Sequence, residues 1–194
     1  MAMVPLTADD DFAAADRPVL DAGVSAYGQI LHTWSAIGNS PGLLSAYLPF
    51  VRRVAGPGRL DQRIKELTAV RVAVLNHCRY TASHRCTSAV KAGVREDELV
   101  AVARGSFDRF DEREQVALML AEEMTIAPPV VPWEISASGI TADLRTRAQQ
   151  LFDPAELVEL AMGIGLWNAL ARFHRLMEFE LDLPDAPAGV VEHL

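Results

Sequence analysis

The chain has 194 residues, half of them hydrophobic and 23% charged, with 26 acidic against 18 basic side chains and a formal net charge of −8. This composition excludes a disordered chain, which needs few apolar residues and dense charge. The acidic balance argues against a nucleic-acid partner, which selects for basic patches. The length fits one domain over residues 1–194, with 1–16 and 185–194 as loose ends, and buries enough surface to fold without a disulfide or metal. Cys78 and Cys86 are too few for a secreted disulfide scaffold. The first sixteen residues carry four aspartates where an export signal is apolar, and no apolar run reaches the length that spans a bilayer. The expectation is therefore a cytoplasmic protein with no membrane partner.

Helical spacing begins at residues 19–36, read as one helix on Val19, Ala22, Ala26, Ile30 and Thr33. Pro41 introduces a second helix from Gly42 to Val54, closed by Gly56-Pro57-Gly58. Asp61 caps a long helix from Gln62 to Asn76, apolar on most sides in its second half, which predicts burial in the core or between subunits. Thr81 to Ala92 and Asp97 to Ala103 follow. Asp111 and Glu114 form a capping box that opens a helix over Gln115 to Thr125. Three prolines bar regular helix from Ala127 to Trp133. Thr141 to Leu151 is a modest helix. Asp153-Pro154-Ala155-Glu156 is a strong start signal for a last helix reaching Phe179, before Pro184 ends regular structure. Strand signals are thin, so the fold class is all-α, with seven or eight helices.

A polar cluster interrupts the helix pair between Glu66 and Gly93. His77, Cys78, Tyr80, Thr81, His84 and Cys86 fall within ten residues, and Glu66 lies twelve residues before Cys78. Glu66, Val70, Ala73 and His77 share one helix face, and Thr81, His84, Arg85 and Ser88 share a face of the next. Cys78 stands at that second helix's N-terminus, where the dipole and free N–H groups favour a thiolate. An imidazole as proton carrier and a carboxylate as sink complete what thiol chemistry requires. The spacing of His77, Cys78, His84 and Cys86 lacks zinc-ligand pairs, so no metal is expected, and no cofactor is called for.

Glu66, then Cys78 with a histidine following, on a helix closed by Gly93, resembles the alkylhydroperoxidase D-like (AhpD-like) and carboxymuconolactone decarboxylase family. The flanks are similar too: Ser40-Pro41-Gly42-Leu43-Leu44 with Tyr47 and Phe50, and Leu60 to Leu67. The redox branch of that family cycles a Cys-x2-Cys pair. The resemblance then implies Glu66 as relay carboxylate, Cys78 as reacting thiol, His84 as imidazole and Thr81 at the second-cysteine position. Thr81 cannot form a disulfide, Arg85 stands at the family's commonest histidine spacing, and Cys86 is extra. Eight helical residues rise about 12 Å, so Cys78 and Cys86 of one chain are too far apart to bridge.

Three functions follow. One is a thiol-dependent peroxidase-like oxidoreductase, with Cys78 as thiolate, Glu66 and His84 as proton relay, and an external thiol reductant. Another is a non-redox lyase or hydrolase on a small carboxylated lactone, with an arginine (Arg85, Arg79 or Arg71) holding the carboxylate. The third is a non-catalytic assembly or binding module. Tyr80, Arg85 and His77 are candidate substrate contacts, against plainer roles in packing, ion pairing and helix capping. The resemblance also implies a homo-oligomer, as dimer, trimer or hexamer. His32 and His174 read as isolated, while Asn168 and Arg172 sit at helical spacing that can line a pocket.

Overall fold

The computed structural model describes residues 2–126 and 139–194; the proline-rich stretch through Trp133 lies outside them. Among the described residues the regular structure is helical, beginning with a 3-10 turn at Asp9–Asp11. The α-helices are α1 (Arg17–Tyr27), α2 (His32–Ile37), α3 (Leu43–Ala55), α4 (Gln62–Leu75) and α5 (Arg79–Lys91). They continue with α6 (Glu96–Arg104), α7 (Glu112–Thr125), α8 (Ala142–Leu151), α9 (Pro154–Met177) and a single turn, α10 (Ala188–Val191). The all-α expectation therefore holds.

The helix expected over 19–36 is two helices. Gly28 closes α1 in the left-handed region (φ 78°), and Leu31 is extended before α2 begins. The spacing runs through this break because Val19 and Ile30, on either side of it, pack against one cluster with Leu20, Leu31 and Trp34. At Gly23, α1 passes close to the Trp34 side chain of α2: a Cβ there would come within 2.8 Å of the ring.

Helix α4 is the axis of the molecule. Every residue from Ile64 to Val74 is buried, because α5, α6, α7 and α9 all pack on it. Its apolar circumference is thus covered within the chain. Asp61 accepts from the Arg63 amide as the N-cap, and the expected capping boxes form at Asp111–Glu114 and Asp153–Glu156. Helix α9 stops at Met177, two residues short of the expected Phe179, with Glu178 left-handed (φ 52°).

Neither end is loose over the full range expected. Asp16 is fully buried and accepts from the Gly42 and Ser45 amides, and Phe12 joins the α1–α3 core. After α9 the chain turns back over α5. Ser83 Oγ donates to the Leu183 and Pro184 carbonyls, Arg79 pairs with Asp185, and α10 buries Val190 beside α6. Burying apolar side chains is what a loose tail lacks. This returning segment lays residues 179–185 across the start of α5.

Candidate active site

The turn from α4 to α5 is a Schellman motif. The Cys78 amide donates to the Ala73 carbonyl at 3.0 Å and the His77 amide to the Val74 carbonyl at 2.8 Å, with His77 left-handed at φ 50°. One residue thus reverses the chain, and Cys78 becomes the N-cap of α5. His77 itself is exposed and does not line the cleft described below. The structure gives it the capping position rather than a substrate contact.

Cys78 is 2% exposed, packed with Tyr80 and Ala171 beneath Phe179 and Leu181. Its Sγ lies 3.1 Å from Thr81 Oγ1, one helical turn on. Thr81 Oγ1 lies 2.8 Å from His174 Nδ1, and His174 Nε2 lies 3.0 Å from Thr33 Oγ1. The Thr33 hydroxyl donates to Tyr80 Oη at 3.2 Å, and Tyr80 donates to Asp182 Oδ2 at 2.6 Å. Asp182 also accepts from the His32 amide at 2.8 Å and, through Oδ1, meets His84 Nε2 at 2.5 Å. Residues from α2, α5, α9 and the returning segment are tied into one network. The sequence does not point to three of its members: His174 reads as isolated, Thr33 only as a position on a helix face, and nothing local marks Asp182.

Burial works against ionisation of Asp182, but the His84 and Tyr80 hydrogen bonds and the His32 amide outweigh it and hold its carboxyl below the usual range. Burial, with nearby His84 and Arg85, depresses His174 to about 3, Asp182 opposing. At neutral pH His174 is therefore an uncharged imidazole. Burial and the adjacent Asp182 push Tyr80 well above the ordinary phenol range, keeping it a donor.

Glu66 belongs to a different cluster from His84. It accepts from Arg85 Nη1 at 3.3 Å and from Gln62 at 3.0 Å. Arg85 stacks over the Trp167 ring at 4.2 Å, and its buried Nε has no partner among the described residues. Burial raises the Glu66 carboxyl pKa, with Arg85 and Gln62 pulling the other way. A cavity of about 80 Å³ joins the two clusters, lined by Thr33, Tyr80, Thr81, His84, Arg85 and His174 among others. Cys78 stands immediately behind the Thr81 wall. Of the other candidates, Arg71 binds Glu122 and the Val102 and Ala103 carbonyls, and Arg79 binds Asp185. Asn168 and Arg172 hold Asn76 at the end of α4 instead of lining the cavity. Burial pushes the Cys86 thiol up to about 12, so it stays protonated and unreactive. No cluster of metal-ligand side chains occurs among the described residues, nor does any helix long and apolar enough to cross a membrane.

Known proteins match the chain in sequence and in fold. The profile of the carboxymuconolactone decarboxylase family matches residues 41–123, which carry Glu66, Cys78, Thr81 and His84. The uncharacterized protein YnjA of Escherichia coli (strain K12) is 31% identical over 157 residues, 78% of this chain and 80% of that protein. A crystal structure of an uncharacterized peroxidase-related protein from Silicibacter sp. TM1040 is similar with a TM-score of 0.75 at 16% identity, covering 100% of this chain and 96% of that one. The apo structure of the debrominase Bmp8 is similar with a TM-score of 0.76 at 18% identity, over 98% and 97% of the two chains. At these identities the two structures share the fold.

Proposed function

The chain belongs to the carboxymuconolactone decarboxylase family, and we propose that within it the protein is a thiol-dependent, peroxidase-like oxidoreductase acting on small hydroperoxides. The observation that carries this reading is Cys78 at the N-terminus of α5, hydrogen-bonded through Thr81 to an uncharged His174. The Thr81 hydroxyl links the thiol to the imidazole, a proton acceptor two hydrogen bonds away. In the reaction, Cys78 sulfur attacks a hydroperoxide oxygen. The sulfur–oxygen bond forms as the oxygen–oxygen bond breaks, the departing alkoxide takes up a proton, and Cys78 becomes a sulfenic acid. Because Thr81 occupies the second-cysteine position, two external thiols complete the cycle, leaving as their disulfide and releasing water. His84 faces the cavity as the candidate acid/base, and Glu66 holds Arg85. Exposed Val158, Met162 and Leu176 on α9 suit a homo-oligomer.

The test is hydroperoxide consumption in the presence of a small thiol. Wild type and Cys86→Ser consume it, and Cys78→Ser does not. Undiminished consumption by Cys78→Ser overturns the reading. A second reading is favoured by one observation: Arg85, whose buried Nε has no partner among the described residues, shares the cavity with His84. That pairing suits a lyase on a small carboxylated lactone, with Arg85 on the carboxylate and His84 as acid/base. Cysteine-independent turnover of such an acid selects it.

A further inference from the structure

The network between Cys78 and Asp182 has a direction, and that direction follows from one ionised group. Asp182 is a carboxylate and only accepts. Tyr80 has one hydroxyl proton and gives it to Asp182 at 2.6 Å. Toward Thr33, Tyr80 must therefore accept, from both the Thr33 hydroxyl at 3.2 Å and the Thr33 amide at 3.4 Å. With its only proton committed, Thr33 Oγ1 accepts from His174 Nε2 at 3.0 Å. An uncharged imidazole carries one proton, so His174 is the Nε2–H tautomer and its Nδ1 is a lone pair. The Thr81 hydroxyl then donates to that Nδ1 at 2.8 Å, which leaves Thr81 Oγ1 to accept from the Cys78 thiol at 3.1 Å. With His174 uncharged, each step follows from the one before it, and each proton points away from Cys78.

The other oxygen of Asp182 does the same for His84. Its contact with Nε2 at 2.5 Å requires the proton on Nε2. His84 Nδ1 has no hydrogen-bond partner among the described residues, and His84 lines the cavity. The ring is held in place by Tyr80, stacked at a centroid distance of 4.5 Å.

We infer that Asp182 is the positioning residue of this site: it fixes the tautomers of both histidines, presenting His174 Nδ1 to the Thr81–Cys78 pair and His84 Nδ1 to the cavity. Asp182 sits in the segment that returns after α9, outside the residues 41–123 that the family profile matches. Charged and titratable groups facing this assembly are His32, 3.9 Å from Asp182, Tyr80, His84 and His174, with Arg85 acting at longer range. A carboxylate behind a histidine commonly sets which ring nitrogen stays free, and its amide replacement leaves the shape but selects the wrong tautomer. Asparagine at 182 offers one acceptor where three donors converge and adds a donor of its own, so a neighbour must turn its lone pair toward it.

The consequence for thiol chemistry rests on the proposed role of Cys78; the tautomers do not. Nitrogen NMR of the histidine rings at pH 8 reads them directly. Wild type is expected to show both neutral rings protonated at Nε2. Asp182→Asn is expected to move His84 to Nδ1–H. Tyr80→Phe is expected to free the Thr33 proton and mix the His174 tautomers while leaving His84 unchanged. Wild-type rings protonated at Nδ1 overturn the inference, as do unchanged tautomers in both variants. Far-UV circular dichroism confirms folding, and if Asp182→Asn does not fold, wild type and Tyr80→Phe decide. A second readout is the pH profile of Cys78 alkylation, expected to slow at least threefold at pH 7.5 in Tyr80→Phe, where the His174 lone pair facing Thr81 is no longer fixed. If the tautomers behave as stated and wild type ignores hydroperoxide, the thiol reading fails and the positioning role stands.

Discussion

Arg85 Nη1 donates to Glu66 Oε2 at 3.3 Å in a pair where neither residue is more than 7% exposed. Removing one charge from such a pair strands the other in a medium that cannot solvate it, at a cost of about 3–5 kcal/mol, while replacing both with apolar groups is often neutral. Arg85→Ala is expected to lose that amount in urea unfolding, Glu66→Gln less, and Glu66→Leu with Arg85→Met to recover most of it. A single-variant loss under 1 kcal/mol would mean that water already reaches the pair.

His77 holds a left-handed conformation (φ 50°) at the position following the α4 C-cap, where glycine carries no steric penalty. Its side chain is exposed and outside the cavity. His77→Gly is therefore expected to raise stability by about 0.5–1 kcal/mol, and His77→Val to lower it by more, with hydroperoxide consumption unchanged in His77→Gly. Lost consumption in a stabilised His77→Gly would return the imidazole to the site.

What the sequence made legible follows from distance along the chain. Cys78, Tyr80, Thr81 and His84 lie within two turns of α5, so helical spacing alone groups them. Asp182 meets Tyr80 across 102 residues, from a segment with no period to read, and Thr33 meets it across 47, where the helical spacing marks a face but not a partner. His174 carried a usable signal: it follows Leu170 and Ala171 on the buried side of α9, and a histidine there needs polar partners. The pairing of Glu66 with Arg85 in place of His84 turns on one residue of helical offset, about 100° of rotation, which decides the face but not what waits on it. The split of α1 from α2 was hidden because both halves feed one core.

Thr81 Oγ1 lies 3.1 Å from Cys78 Sγ, three residues along the chain at a helix start. Residues at that separation fall within the Cα range that a disulfide accepts. Thr81→Cys is thus expected to close an internal disulfide on treatment with one equivalent of hydroperoxide, with two titratable thiols lost per chain under denaturing conditions. The same treatment leaves wild type with no internal disulfide. Failure of the variant to lose thiols as a monomeric species would show that the two side chains cannot reach bonding geometry.

His174 makes stability depend on pH with a definite sign. Burial depresses its folded-state pKa to about 3, against about 6.5 in an unfolded chain. Between those values the unfolded chain binds a proton that the folded one refuses, so stability is full above pH 6.5 and falls as pH drops toward 3. One proton corresponds to about 1.4 kcal/mol per pH unit, several kcal/mol over the whole window. Asp182, also depressed, adds a loss of the same sign nearer its own lower range. Glu66, raised by burial, acts oppositely, its contribution fading as pH rises through its folded value. Because these terms overlap, the wild-type curve alone does not isolate His174. The difference between wild type and His174→Gln does: urea unfolding from pH 7 to 4 is expected to show a slope shallower in the variant by about one proton. Equal slopes would mean that His174 takes up its proton in the folded state at an ordinary pKa. It could then no longer be the uncharged acceptor beside Thr81 and Cys78 in weakly acidic solution.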